Sequence, residues 1–323
     1  MLPVINEYCI KQAVKTGIGL KAKINHRSIF DRKNYFYADL PQGYQISQYD
    51  MPLAVKGCLE IVVNGDQKSV GIERVHLEED VAKLQHVTNE SGVSYSLVDV
   101  NRSGQALMEI VSMPDMRSPD EALAYLSSIH SIVQYLGVST ANMQDGSFRC
   151  DANVSVRKVG SSKLGTKTEI KNVNSFRFVQ KAIEYEIVRQ TKLIENGEKV
   201  IQETRLFNSA SNKTYAMRSK EDAHDYRYFP DPDLQPLLLS EERIAKILSS
   251  MPESVEDKTK SYLNELHLSQ EEVDILLSDK VLSDFFDGTL KYVNEPKMIC
   301  NWILSEIIRY INPVSYTHLT LPT

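Results

Sequence analysis

The stretch Val75-His76-Leu77-Glu78-Glu79-Asp80-Val81-Ala82-Lys83, VHLEEDVAK, sets three consecutive acids at the end of an apolar run. Upstream lie GCLEIVV (57–63), the turn residues NGDQ (64–67) and KSVGIERVHL (68–77). Two alternating runs joined at Asn64-Gly65 predict an antiparallel hairpin, because Asn-Gly supplies the left-handed conformations that a tight turn requires. Side chains two apart on a strand share a face, so Val75, Leu77 and Glu79 point one way and His76, Glu78 and Asp80 the other. Glu79 thereby inherits the inward direction. His76, Glu78 and Asp80 are expected to face water. A buried carboxylate that stays charged needs a cation, an ion-pair partner or a wet cavity.

Two further acids are oddly placed. Glu109 is the single charge in ALMEIVSM (106–113), a run patterned as a strand buried on both faces. Asp151 sits with Arg149 and Asn153 opposite Cys150 and Ala152, in a segment, QDGSFRCDANVSVRKV (144–159), that reads as a second hairpin turning at Asp145-Gly146. Acids from three strands suit a hard divalent cation such as Mg²⁺. Arg74, Arg102 and Arg149 are equally available to pair with them, so the pattern alone leaves both readings open.

Around these strands the helix signals are local. SPDEALAYLSSIHSIVQYLG (118–137) begins with Ser118 as cap, Pro119 in the first turn and Glu121 completing a capping box, and ends at Gly137. A second helix is expected from Ser175 to Glu195, before Asn196-Gly197, and another from about residue 3 to 20. Strands and helices mix without regular βαβ alternation, which favours an α+β fold with mainly antiparallel pairing. The prolines of YFPDPDLQP (228–236) mark the end of this domain, expected to span 1–236. Helices at 240–250, 254–266, 269–277 and 296–311 form an all-helical domain over 237–312. The last residues, PVSYTHLTLPT (313–323), carry no charge and no periodicity, and are expected to be a non-native or disordered tail.

The 323 residues are 42% hydrophobic and 25% charged, as in soluble globular proteins, with a formal net charge of −6. That balance excludes a surface that grips nucleic acid everywhere, although Lys11 to Lys33 could form a local basic face. No run reaches the roughly 18 apolar residues of a membrane span, and the N-terminus does not read as a leader, so a cytoplasmic protein is expected. Cys9, Cys58, Cys150 and Cys300 are scattered, which argues against structural zinc and a disulfide framework. GxxxxGK[ST], GxGxxG and GxSxG motifs are absent. A nucleotide would need another cradle, and the best candidate is DRKNYFYADLPQGYQISQYD (31–50), where Lys33 could balance a transferring phosphoryl group or be an ordinary surface lysine.

The phrases FDRKNYFYADLPQGYQISQYD, HLEEDVAK, LVDVNRSGQALMEIVSMPD, GSFRCDANVSV, KTEIKNVNSF and HDYRYFPDPDL, in this order, resemble the GatB family, the B subunit of the tRNA-dependent amidotransferase. The resemblance runs through nearly all of residues 2–312. It implies a cradle-like catalytic domain that uses ATP and Mg²⁺ to phosphorylate the side-chain carboxylate of Glu-tRNA(Gln) or Asp-tRNA(Asn), after which ammonia displaces phosphate. It implies Glu79 and Glu109 as metal ligands, with Lys33 and Asp151 at the same site, and assigns Asn34, Arg149 and Arg227 to the nucleotide. Partners would be the amidase (A) and small (C) subunits of the amidotransferase and the misacylated tRNA. Family members carry an N-terminal Glu-x-His strand and a C-terminal continuation that this sequence lacks, so a truncated chain, inactive alone, is expected. Ala38 and Ala106 stand where the family usually has proline, and Ala82 where it has glycine. A truncated scaffold that only binds the amidase is the alternative.

Overall fold

The computed structural model describes residues 3–217, 226–278 and 280–311; the expected tail at 313–323 lies outside them. Helix α1 (Glu7–Gly19) leads into β1 (Lys23–Ile24), β2 (Arg27–Ser28), β3 (Asp31–Asn34), β4 (Tyr44–Ser47), β5 (Ala54–Val63), β6 (Asp66–Glu79), β7 (Lys83–Thr88), β8 (Ser94–Asp99), β9 (Ala106–Ser112) and α2 (Pro119–Tyr135). Next come β10 (Cys150–Val154), β11 (Thr168–Val173), α3 (Phe176–Glu195), β12 (Thr204–Asn208), β13 (Lys213–Ala216), β14 (Phe229–Pro230) and β15 (Leu237–Leu238). The chain continues through α4 (Glu241–Ser249), α5 (Val255–Asn264), α6 (Gln270–Leu277), α7 (Lys280–Leu290), α8 (Pro296–Trp302) and α9 (Ile308–Ile311), a π-helical turn at Ile303–Ile307 joining the last two. The fold is mixed α+β, as expected.

The predicted hairpin forms. β5 and β6 pair antiparallel from Val63 opposite Asp66 to Ala54 opposite Val75. Asn64 and Gly65 take φ of 53° and 88°, the left-handed pair that the turn demands. β1 and β9 flank them in the order β1-β5-β6-β9. Helix α1 packs on β5 and β6, burying Ile10, Ala13 and Val14 against a sheet whose inner row includes Ala54, Ile61, Val70, Ile72 and Val75. The second hairpin does not form. Asp145 instead caps the Ser147 amide and Phe148 N–H donates to the Asn142 carbonyl, so Asp145-Gly146 turns an irregular loop, and β10 pairs with β11 through a register shift between Cys150 and Ala152. A four-stranded sheet β10-β11-β12-β13 results. α3 crosses between β11 and β12, which are parallel, and packs Val179, Ala182 and Ile183 against Ile170, Val173 and Phe207.

By internal packing, one compact unit comprises Met1–His130 with Val138–Ser250, the other Ser131–Gly137 with Met251–Thr323. The first runs past the proline-marked stretch because α4 packs on α1, with Arg243 paired to Glu7 at 3.2 Å. The second has its own core of Tyr262, Leu268, Val273, Leu276, Phe286 and Ile299. Within it, Lys258 is buried and engages Asp287 and Ser283. No helix among the described residues is long and apolar enough to cross a membrane.

Candidate metal centre

The β6–β9 register settles which acids can meet. His76 stands opposite Glu109 and Glu78 opposite Leu107, while Glu79 stands opposite Ala106. Paired residues share a face, so His76, Glu78 and Glu109 lie on one side of the ladder and Glu79 on the other. His76 Nε2 is 3.8 Å from Glu78 Oε2 and 3.7 Å from Glu109 Oε2. One ligand atom from each residue falls within 4.8 Å of the others, and among the described residues this is the one such group of three. The expected convergence of Glu79 with Glu109 is therefore replaced by His76, Glu78 and Glu109.

Three further expectations are corrected. His76 is 3% exposed and Asp80 7%, and the Glu78 side chain is likewise buried, although all three were expected in water. The cause is β4, which runs beside the end of β6. Ser47 Oγ donates to Glu78 Oε2 at 3.1 Å, Ile46 N–H to Glu79 Oε1 at 2.9 Å, and the Gln42 amide reaches the same carboxylate. Burial works against ionised Glu78, but the neighbouring His76 imidazole, the charge of Lys33 and the Ser47 hydroxyl hold its carboxyl below the usual range. Glu79 goes the other way: burial raises it more than the Ile46 and Gln42 donors lower it.

The donor set fits a divalent ion. The cluster carries one imidazole and two carboxylates, a mixed set that suits Mn²⁺ or Zn²⁺ as well as Mg²⁺, which favours oxygen. His76 Nδ1 is buried without a hydrogen-bond partner. Its Nε2 faces the carboxylates of Glu78 and Glu109.

Lys33, on β3, belongs to this surround. Its ammonium lies 5.0 Å from the centre of the Tyr226 ring, a cation–π contact, and it acts on the charge of Glu78. Asn34 donates to the Arg227 carbonyl at 2.9 Å, and its backbone N–H to Tyr226 O at 2.9 Å. Its amide nitrogen holds the 226–227 backbone, where Arg227 adopts φ of 43°. Tyr228 stacks on Tyr49 with centroids 4.3 Å apart, and burial raises the phenols of Tyr35 and Tyr228, reinforced by Glu78. Asp151 pairs with Lys171 of β11 at 3.2 Å and lies outside the trio. Arg149 is clasped by Asp80, with Nη2 to Oδ2 at 2.6 Å. His76 and Glu78 were missed because their burial depends on β4, some thirty residues upstream; the signal in the sequence was a histidine two residues before an acid on one face.

Relatives share this sequence along almost its whole length. A protein of Thermodesulfovibrio yellowstonii, named as the B subunit of aspartyl/glutamyl-tRNA(Asn/Gln) amidotransferase, is 54% identical over 312 residues, covering 97% of this chain and 65% of its own. Proteins of the same name from Pelagibacter ubique and Rickettsia bellii are 54% and 50% identical, covering 97% and 98% of this chain and 63% and 64% of their own. The chain thus spans slightly less than two thirds of the length of these relatives. The sequence profile described as the GatB/GatE catalytic domain matches residues 1–245, which hold the whole trio, Lys33 and the tyrosines around them. By that match and those identities, the chain belongs to the GatB/GatE catalytic-domain family.

Proposed function

We propose that this chain is the kinase-like part of an amidotransferase B subunit, phosphorylating the side-chain carboxylate of Glu or Asp esterified to tRNA(Gln) or tRNA(Asn) with ATP, before ammonia from an amidase partner forms the amide. The observation that carries the reading is the convergence of His76, Glu78 and Glu109 beside Lys33. The relatives' name, which refers to the tRNAs for Asn and Gln, supports the substrate class.

A carboxylate is a poor acyl donor because oxide would have to leave, whereas an acyl phosphate releases phosphate. A divalent cation bound by His76, Glu78 and Glu109 would supply charge neutralisation for the phosphoryl transfer. Lys33, a compact point charge seated on Tyr226, would stabilise charge on the moving phosphoryl group. Tyr35 and Tyr228, whose phenols burial raises, keep their protons at neutral pH. No protein nucleophile is required. Burial, with Asp151 adding to it, pushes the Cys150 thiol up to about 12, so that cysteine is inert at neutral pH.

The test is ATP-dependent formation of Gln-tRNA or Asn-tRNA by this chain together with amidase and small subunits taken from a relative. Glu109→Ala and His76→Ala should each abolish it; full activity in either variant refutes the metal role. Titration of Mg·ATP into the chain separates this reading from a scaffold, which needs no nucleotide affinity.

A further inference from the structure

Arg74 stands on the face of β6 that carries the trio. Residues 74, 76 and 78 alternate along one strand, and Arg74 lies opposite Val111 of β9 as His76 lies opposite Glu109. The register shift of this ladder falls between Ile72 and Arg74, so pairing is regular from Arg74 to Glu79 and the shared face holds. Arg74 is the one permanent cation that β6 and β9 place there, beside His76, Glu78, Leu107, Glu109 and Val111.

Its guanidinium is poorly paired. Nε is buried without a hydrogen-bond partner, and Nη1 meets Glu73 Oε1 at 3.3 Å. Glu73 is the chain neighbour and its side chain is 51% exposed, so water screens that pair and it contributes little. Other arginines of the chain are spent on buried carboxylates, Arg32 on Asp231 and Arg189 on Glu186. A buried donor left unpaired costs free energy that a ligand oxygen would recover. The charge also acts within the site: burial raises the Tyr228 phenol, Glu78 and Glu109 raise it further, and Arg74 works against them, so three charges of this face bear on one ring.

We infer that Arg74 anchors the acceptor carboxylate, the side-chain group of the aminoacyl residue that is to be phosphorylated. The inference rests on the function proposed above and adds to it a residue that reads the substrate. Phosphoryl transfer to a carboxylate brings two anions together, and each requires positive charge of its own. Lys33, whose charge acts on Glu78, serves the phosphoryl group. Arg74 lies on the other side of His76 along the strand, and Nε with one Nη forms a planar fork that matches two carboxylate oxygens. An amide offers a single oxygen and no charge. The same fork therefore prefers the acidic substrate to its amidated product.

The test compares binding of Glu-tRNA(Gln) and Gln-tRNA(Gln) to the chain assembled with amidase and small subunits from a relative, with Mg²⁺ but without ATP, so that nothing turns over. The Asp- and Asn-tRNA(Asn) pair is read alongside. The unsubstituted assembly should bind the acidic form more tightly, and Arg74→Gln should weaken that form on the order of tenfold while leaving the amide form unchanged. Arg74→Lys, which keeps the charge and loses the fork, should retain part of the preference, and is read in its place should Arg74→Gln fail to assemble. Equal weakening of both forms would reveal a merely structural arginine and overturn the inference, as would a preference that survives both substitutions. An unsubstituted assembly that forms the amide with ATP yet binds the two forms alike overturns the inference and leaves the proposed function standing. An assembly that forms no amide overturns both.

Discussion

His76 and Glu109 face each other across the β6–β9 ladder, Nε2 3.7 Å from Oε2, while Glu79, three residues on, looks out from the opposite face. The two glutamates that a sequence reading would pair are thus separated by the sheet itself. A buried carboxylate beside an imidazole and a second acid is stable only with positive charge nearby, which Lys33 and a bound cation would provide. Glu109→Gln or His76→Ala should lower the affinity for Mn²⁺, read by isothermal titration, by at least about tenfold. Glu79→Gln should cost less, because its carboxylate is already occupied by the Ile46 amide and Gln42. An equal loss in Glu79→Gln would mean that the ladder face does not decide the ligands.

Lys33 needs a fixed direction as well as a charge, and Tyr226 supplies it. Lys33→Met should reduce kcat of the assembled enzyme by roughly 10² to 10³, the range for removing a group that stabilises transition-state charge. Tyr226→Leu keeps the ammonium and removes the ring beneath it. A cation–π contact contributes about 0.5–1 kcal/mol, so kcat should fall only about two- to fivefold. Equal losses in the two variants would mean that Tyr226 has a second role.

The features legible in the sequence are those set by neighbours in the chain. α3 starts and stops where Ser175 and Asn196-Gly197 place it: Ser175 Oγ accepts from Phe178 N–H, and Gly197 takes φ of 80°. α2 begins at Ser118 as expected, but Glu121 turns to Arg117 N–H and Lys68 instead of closing a capping box. What could not be read depends on distant partners. The covering of His76 by β4, the parallel pairing of β11 with β12 and the clasp of Arg149 on Asp80 leave no periodicity in any one segment. α7 escaped because DFFDGTL carries a glycine that interrupts the helical pattern.

Glu186 gives a pH dependence. Its carboxylate is fully buried between α3 and the second sheet, bonded to Thr168 and Thr214 at 3.0 Å each and engaged by Arg189 and Gln190. Burial alone would raise its pKa, but the Arg189 and Gln190 hydrogen bonds, the charge of Arg189 and Thr168 outweigh it and hold the carboxyl below its usual value. A group depressed in the folded state stabilises the fold above its unfolded pKa, about 4.3, and loses that contribution as pH falls through the folded value. Glu186→Gln should cost roughly 3 kcal/mol at neutral pH, since Arg189 and Arg205 are left facing an amide. Its stability should also fall less steeply than that of the unsubstituted chain as the pH is lowered below about 4.3. Parallel pH profiles of the two proteins in urea would remove Glu186 as the source.

Gly57 is where the sheet and the end of α1 touch. A Cβ there would lie 2.7 Å from the Leu20 carbonyl oxygen and 3.0 Å from the Cβ atoms of Ala22 and Ile72. That carbonyl cannot swing away, because it accepts from Cys58 N–H at 2.9 Å. Gly57→Ala must therefore push the Leu20–Ala22 connection off β5, an overpacking that costs about 1–3 kcal/mol. Gly43 offers the contrast: its Cβ would meet nothing within 4 Å, but its φ of 76° makes any side chain strained, at a cost nearer 1 kcal/mol. Hydrogen exchange distinguishes the two. Gly57→Ala should accelerate exchange at Cys58 and along the β5–β6 ladder, while Gly43→Ala should leave that ladder protected. Since β6 also carries His76 and Glu78, the first variant should weaken Mn²⁺ binding although residue 57 touches neither ligand.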